Sequence, residues 1–590
     1  MKGNITVHTQ NIFPVIKKWL YSDKDIFLRE IVSNGCDAIT KLKKVKDAGA
    51  ALPTDEEYEV HVVVDKPNKT ITVSDNGIGM TENEIEKYIT QVAFSGAEDF
   101  LAKYEDKSPE NQIIGHFGLG FFSSFMVSDN VEIESLSFAE GAKSAHWSCD
   151  GGIEYEMTEG KREKRGTDII LHITEEDEEY LSISRIREIL DKYCAFLPVP
   201  IFCYQAGEDK GTMINETLPL WMKSPAQCTD DEYKAFYQKL FRRYDEPLFW
   251  IHLNTDYPFN LKGILYFPVV EKTPNLTGGP VKLFNNQVFV ADNIKEIIPE
   301  FLLMLKGVID CPDVPLNVSR SFLQNDRTVS KIANHIVKKI ADKLSSMFKT
   351  ERENYEKYWE DISGFIKFGC MSDPVFYDKI KDCLIYKTTM GKYVTLSEYL
   401  GEDKKEVYYA TSGDYQKQYI NMFSDQGIEV MLMPGLIDAT FVQFLESKNE
   451  GITFRSIDSV TPDSFKAESA KADAAAVKKI FEKALPEGTE IDTAALKEEG
   501  VPALSMIDEY ARRMRMMSAA MGGMEFPDKK KLMINLNNSI IEKLPSMDEE
   551  KAELMAKHIY DLARMESEPL PAEDLQEFIR RSIDMLGKLS

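Results

Sequence analysis

The sequence has no Cys-x-x-Cys pair and no histidine at metal-ligand spacing from its eight cysteines, Cys36, Cys149, Cys194, Cys203, Cys228, Cys311, Cys370 and Cys383. That excludes a zinc ribbon and leaves reduced, mostly buried thiols as the expectation. No apolar run approaches the roughly 20 residues that span a bilayer. The opening MKGNITVHTQNIF lacks the basic start, apolar stretch and small-residue cleavage site of a secretory signal. A soluble, cytoplasmic chain without membrane insertion is expected. Positive charge is scarce: 71 Lys and Arg against 97 Asp and Glu leave a formal charge of −26. Such a field disfavours binding to phosphate backbones, so nucleic acid is not an expected partner. Repeats at solenoid or propeller periods and low-complexity tracts are also missing, so the architecture must come from separate modules.

A chain of 590 residues with 43% hydrophobic and 28% charged residues is globular but too long for one core, because cores stop growing at roughly 250 to 300 residues. Mixed helical stretches and β-rich runs, Val60 to Val64, Thr70 to Val73, Val131 to Glu134 and Asp168 to Ile173, read as an α+β domain over residues 1–210. The polar stretch YQAGEDKGT from Tyr204 suits an exposed connection. A second α/β region over residues 217–465 alternates strands such as Leu261 to Val269, Gln287 to Val290, Glu406 to Ala410 and Glu429 to Met433 with helices such as Lys331 to Arg352. The remainder, residues 474–590, reads as mainly helical. The expected fold class is therefore multidomain α+β.

The first helix is expected over Asp23 to Lys46, with Ser22 as N-cap and Asp25 completing a near capping box. Ile26, Phe27, Ile31, Ala38, Ile39 and Leu42 give it a face to pack. Glu30, Asn34, Asp37 and Lys41 fall on one stripe at i, i+4, i+7 and i+11. Alone, that stripe fits a solvated polar face. TITVSDNGIGM, Thr70 to Met80, is a strand ending in Asp75 that turns through Gly77 and Gly79. A carboxylate at a strand end can accept from an exocyclic amine, and glycines let a flat ring approach the backbone; a plain hairpin turn gives the same letters. IGHFGLGFFSSF, with Gly115, Gly118 and Gly120, can aim backbone N–H groups at phosphates before an apolar helix. It is neither a Walker loop nor a dinucleotide fingerprint. Gly166-Thr167 precedes the last strand and offers a hydroxyl.

All four pieces lie in one domain-sized segment, in the order Glu-x-x-x-Asn, Asp-x-Gly-x-Gly, Gly-x-x-Gly-x-Gly, Gly-Thr. That order resembles the Bergerat-type α/β sandwich shared by gyrases, heat-shock chaperones, sensor histidine kinases and mismatch-repair ATPases. A sensor kinase would also need a phosphoacceptor histidine on an adjoining dimerisation helix, and none is seen. The resemblance implies ATP as cofactor beneath a mobile lid, with Glu30 as general base on the attacking water and Asn34 holding Mg2+ through the phosphates. It implies Asp75 on the adenine amine, Gly79 and Met80 against the ring, Thr167 supporting it through water, and Gly115, His116, Phe117, Gly118, Leu119, Gly120 and Phe121 around the phosphates. Asp37 and Lys41 would supply supporting polar contacts.

Longer runs narrow the resemblance. LYSDKDIFLREIVSNGCDAITKL, IGHFGLGFFSSFMVSDNVEI, NETLPLWMKSP, KLFNNQVFVADNIKEIIPEFLLMLKGVID and CPDVPLNVSRSFLQNDRTVSKI are similar to landmarks of the ninety-kilodalton heat-shock chaperone family, in the family's order, and the likeness weakens after about Ser464. It implies Arg320 as a catalytic arginine with Gln324 beside it, a cation on the γ-phosphate that ties rate to domain docking. It also implies an ATP-driven homodimer joined by C-terminal helices, acting on partly folded clients and in concert with other chaperones. The lid departs from the family: KYITQVAFSGA puts Tyr88 and Phe94 where an asparagine and a lysine are usual, while Ser95 and Gly96 persist. Methionines Met506, Met514, Met516, Met517, Met521 and Met524 suggest an adaptable client-contacting helix or a flexible core helix. Leu575, Phe578, Ile579, Ile583 and Leu586 form a bundle seam, between protomers or within one. The ending MLGKLS, without an acidic co-chaperone tail, fits a bacterial cytosolic form. A DNA-acting relative and a nucleotide-gated scaffold without turnover are the rival functions, separable by DNA-stimulated ATPase and by loss of turnover in Glu30→Ala.

Overall fold

Alternating branched and polar residues lay down the first sheet. In the computed structural model VHVVVD becomes β1 (Val60–Asp65), and TITVSD becomes β2 (Thr70–Asp75). In both, every second side chain is buried, as a sheet covered on one face requires. The structure describes residues 23–49, 57–91, 96, 100, 114–115, 118–152, 154–242, 244–269, 281–292, 295–317, 327–402, 404–413, 416–511, 513–514, 530–567 and 569–589. The chain divides between Val337 and Lys338 into two units.

The first unit begins with α1 (Ile26–Asp47), followed by β1, β2 and the short α2 (Glu82–Tyr88). It continues through β3 (Ser128–Leu136), β4 (Ala145–Cys149), β5 (Glu156–Glu159), β6 (Gly166–Ile173), α3 (Ile183–Tyr193) and β7 (Ile201–Gln205). These strands form one sheet in the order β5-β4-β3-β6-β2-β1-β7, antiparallel except for the β1–β7 pair. The helices α1 and α3 bury Phe27, Ile31, Ile39, Ile186, Ile189 and Leu190 in the same core as Val62, Ile71, Val131 and Leu171 of the sheet, giving the expected α/β sandwich.

Two expectations change here. α1 starts at Ile26, and Asp25 makes no capping bond; its carboxylate instead accepts from Arg185 Nη2 at 2.6 Å and Tyr180 Oη at 3.0 Å. Ser22 lies outside the described residues. Tyr204 and Gln205 belong to β7, and residues 206–213 that follow form the expected connection, exposed throughout except for the half-buried Gly211 and closing back through a Phe202–Met213 bridge.

Next come α4 (Asp230–Phe241) and a five-stranded sheet of β8 (Phe249–Thr255), β9 (Leu261–Phe267), β10 (Val281–Asn285), β11 (Val288–Asp292) and β12 (Lys306–Asp310), in the order β11-β10-β12-β9-β8. A genuine capping box starts α4: Thr229 accepts from the Glu232 amide while Glu232 accepts from the Thr229 amide. Helix α5 follows over Arg327–Thr350.

Within the second unit, α6 (Arg352–Ser372) and α7 (Pro374–Ile380) lead to the hairpin of β13 (Ile385–Lys387) and β14 (Tyr393–Thr395), then α8 (Leu396–Leu400). A parallel sheet follows from β15 (Glu406–Ala410), β16 (Met431–Leu432) and β17 (Thr453–Ser456), with α9 (Lys417–Asp425) and α10 (Asp438–Lys448) as its crossovers. The tail is helical in α11 (Ala474–Ala484), α12 (Ser539–Lys543), α13 (Glu549–Met565) and α14 (Ala572–Leu589), and it holds a three-stranded sheet that the sequence reading left out: β18 (Glu490–Ala494), β19 (Ala503–Ile507) and β20 (Lys530–Asn535). Met506 is therefore a buried strand residue, not part of a client-facing helix; Met516, Met517, Met521 and Met524 lie outside the described residues. Seven of the eight cysteines are buried, Cys228 is half-buried, and all are free thiols. Among the described residues no helix is long and apolar enough to cross a membrane.

Candidate functional site

From Asp25 to Asp37 every residue is buried except Asn34, which is exposed. Burying Glu30 and Asp37 is costly unless each carboxylate is paired and hydrogen-bonded, and both are. Arg29 donates to Glu30 Oε1 from Nε at 3.0 Å and Nη2 at 2.7 Å. The guanidinium lies 5.7 Å over the Tyr193 ring of α3. Glu30 Oε2 faces Gly120, where an added Cβ would stand 2.6 Å from it. Asp37 takes a different part: its two oxygens accept the amides of Ile114 and Gly115, each at 2.7 Å. It anchors the start of the glycine segment to α1.

The Asp75 end reaches the same helix from the other side. A Cβ on Gly35 would lie 3.4 Å from Asp75 Cβ, and one on Gly77 would lie 2.5 Å from the Ala38 carbonyl carbon, so the turn after β2 sits directly on α1. The Ile78 amide donates to Ala38 O at 3.0 Å. Asp75 is buried; its Oδ1 accepts the Gly77 amide at 2.8 Å. Burial pushes its carboxyl up to about 7, against the pull of the Gly77 amide and the Arg162 cation, while Asp168 pushes it further up. Thr167 pairs with Asp75 across β2 and β6, and its hydroxyl lies 2.9 Å from Ser135 Oγ. Ser135 Oγ also accepts the Met80 amide at 2.9 Å. Gly79 has φ +63°, and a Cβ there would fall 1.9 Å from Leu136 O. Packing on β3 thus already requires glycine at this position.

Gly118 has φ +63°, and Gly120 opens the apolar helix expected after the glycine turn, a 3-10 helix over Gly120–Met126. Phe121 is buried against Trp147 at 5.7 Å between ring centroids, and Leu119 and Gly115 are half-buried. Burial lowers the Lys41 pKa, opposed by Asp37 and Glu84, and its ammonium lies 5.9 Å from the centre of the Phe100 ring. A Cβ on Gly96 would meet the Tyr88 ring at 3.1 Å. His116, Phe117, Phe94, Ser95, Arg320 and Gln324 lie outside the described residues. Among those residues no cluster of three His, Cys, Asp or Glu side chains could hold a metal. The structure therefore gathers Glu30, Asn34, Asp37, Lys41, Asp75, Gly79, Met80, Thr167 and the described part of the glycine segment around one helix. Sequence reasoning missed Arg29, Ser135, Arg162 and Arg165; the run KREKR directly before Gly166-Thr167 was the available signal for the last two.

The chain is similar to known proteins over most of its length. Residues 23–167 match the family described as histidine kinase-, DNA gyrase B- and HSP90-like ATPase, and residues 205–589 match the Hsp90 protein family. A chaperone protein HtpG of Bacteroides fragilis is 44% identical over 583 residues, spanning 93% of this chain and 85% of the relative. One of Porphyromonas gingivalis is 43% identical over 585 residues, spanning 94% and 85%. One of Ruthia magnifica is 31% identical, spanning 95% of each. With a family model over more than half its length and relatives matched over 93 to 95% of it, the chain belongs to the Hsp90 protein family and carries that family's ATPase domain.

Proposed function

We propose that this protein is an ATP-hydrolysing molecular chaperone whose nucleotide sits along the exposed window of α1, with the base at the Asp75 turn and the phosphates at Gly115 to Phe121. The observation that carries the reading is the single exposed residue, Asn34, on an otherwise buried stretch of helix, set between Glu30 and Asp37 with the two glycine motifs packed on either side. Glu30 acts as the general base: Arg29 fixes one oxygen, and the other faces Gly120, beside the phosphate segment. Asp75 accepts from the purine amine, and Thr167 with Ser135 holds the polar edge of that pocket. Asn34 fits a magnesium ion, since an exposed amide oxygen is a hard donor and such a site needs few protein ligands when phosphates supply the rest. When bound, that ion would neutralise phosphate charge and help orient the triphosphate.

On this reading Arg320, with Gln324 beside it, meets the γ-phosphate from the region of residues 217–465, so hydrolysis requires domain docking within the division 1–210, 217–465 and 474–590. A homodimer forms through the C-terminal helices. Leu575, Ile579, Ile583 and Leu586 of α14 are exposed at 38, 49, 63 and 67% and support this, whereas Phe578 stacks on His558 of its own chain at 4.7 Å. Partly folded clients respond to the cycle because nucleotide binds the closed state more tightly than the open one. The deciding experiment is steady-state ATP turnover and ATP affinity of Glu30→Ala. Turnover is expected to vanish with affinity retained; wild-type turnover in that variant would remove the base and the mechanism with it.

A further inference from the structure

The run Lys161 to Arg165, between β5 and β6, lies directly behind the turn that carries Asp75. Arg162 Nη2 donates to Asp75 O at 2.8 Å. Arg165 Nε donates to Gly77 O at 3.0 Å, and its Nη2 donates to Asn76 O at 3.1 Å. Three consecutive carbonyls of the base-recognition turn are thus each held by a guanidinium, a planar fork suited to receiving several acceptors at once. The approach is built in: Gly166 has φ +123°, and a Cβ there would stand 2.0 Å from Asp75 O and 2.7 Å from Arg162 Nη2. Arg162 is itself fixed by an ion pair with Asp168, which also accepts from Ser74, and by Nε donating to Lys164 O at 3.0 Å.

We propose that Arg162 and Arg165 are positioning residues for base recognition, clamping the Asp75–Gly77 turn so that the Asp75 carboxylate meets a purine amine. The inference rests on the assignment of Asp75 above. The charges around Asp75 are Arg162 from the connection and Asp168 from β6, with the Cys36 thiol facing it from α1. Arg162 is the cation among them, and it opposes the burial that raises Asp75 to about 7. A purine amine donates more strongly to the ionised carboxylate than to the neutral acid, so affinity is highest above that pH and weakens as pH falls through it. Without Arg162 the loss must begin at higher pH.

The test is calorimetric binding of ADP and of GDP to the full-length chain across a pH series. Arg162→Gln is expected to move the pH midpoint of ADP affinity upward by about one unit, hence weaken ADP up to about fivefold at pH 7. Arg162→Lys, which keeps the cation, is expected to return the midpoint toward wild type; a purely structural role would lower thermal stability in both and move neither midpoint. Arg165→Ala is expected to weaken ADP about tenfold and bring the ADP to GDP ratio toward one. Coincident midpoints in Arg162→Gln and wild type, with unchanged discrimination in Arg165→Ala, would overturn the proposal. Asp75→Ala, which removes the acceptor, separates the two levels. If it keeps ADP affinity, the base pocket itself is misassigned and the proposal falls with it; if it loses affinity while the arginine variants bind as wild type, only the proposal falls.

Discussion

Substituting Gly120 by alanine separates the chemistry of the site from its stability. The built Cβ would stand 2.6 Å from Glu30 Oε2, 3.4 Å from its Cβ and 3.5 Å from its Cδ. An ordinary carbon contact needs the carboxylate to retreat by about 0.5–1 Å. Arg29 resists that retreat through its bonds of 3.0 and 2.7 Å to Oε1, so the side chain must pivot about the held oxygen and swing Oε2 away. The backbone does not object: Gly120 opens a 3-10 helix and is not among the glycines of positive φ. Alanine there should gain about 0.5–1 kcal/mol in chain entropy, offset by the displaced carboxylate, for a net change within about 1 kcal/mol. A catalytic group misplaced by about 1 Å can lose about 100-fold in rate, or about 2.7 kcal/mol of barrier. Steady-state ATPase on Gly120→Ala should therefore show kcat down by about 100-fold with a melting temperature near wild type. Gly118→Ala provides the contrast, because φ +63° penalises any side chain; it should lower stability by about 1–2 kcal/mol. Wild-type kcat in a folded Gly120→Ala chain would show that Glu30 Oε2 does not face the reacting water.

Burial raises Asp310 to about 6 from an ordinary 3.8. Its contribution is therefore fully present below about pH 4 and lost as pH rises through about 6; Asp310→Asn should unfold in urea with less pH dependence over that window and gain about 2–3 kcal/mol above it, and parallel pH slopes would count against this. Lys367 and Asp438 form a buried pair at 2.5 Å, with the other Asp438 oxygen accepting the Gly435 amide at 2.9 Å. Lys367→Met should cost about 3–5 kcal/mol, with recovery in the double variant Lys367→Met, Asp438→Asn; a loss below about 1 kcal/mol would contradict it. Ile579→Ser combined with Ile583→Ser removes exposed apolar surface from α14, so sedimentation should show monomer where wild type shows dimer, at unchanged helix content. Persistent dimer in that variant would place the interface elsewhere.

Local patterns carried much of the first unit because its signals are local. The β-rich runs of β1, β2 and β6 and the spacing within α1 survive into the fold with ends shifted by a few residues. The helix start was misread because Asp25 is committed to Arg185 and Tyr180, partners 160 and 155 residues away that no capping rule can see. The C-terminal sheet was missed for another reason. EIDTA of β18 is half-buried without a clean alternation, and ALSMI of β19 is buried on both faces, so it reads like the apolar start of the methionine-rich stretch behind it.

The stripe on α1 marks the limit of spacing as an argument. Glu30 and Asp37 lie on one face of the helix and are equally buried, so periodicity gives them equal claim to the chemistry. Their neighbours separate them. Both Asp37 oxygens take backbone amides of the glycine segment, which makes this carboxylate a fastener for that loop. Glu30 has one oxygen held by a guanidinium on its own helix and the other turned to a residue whose missing side chain leaves room. The difference lies in what residues 114, 115 and 120 present to the helix, some 77 to 90 positions along the chain. A stripe of acid, amide and acid therefore announces a site without assigning its labour, and the assignment rests on which carboxylate the loop needs for its own folding.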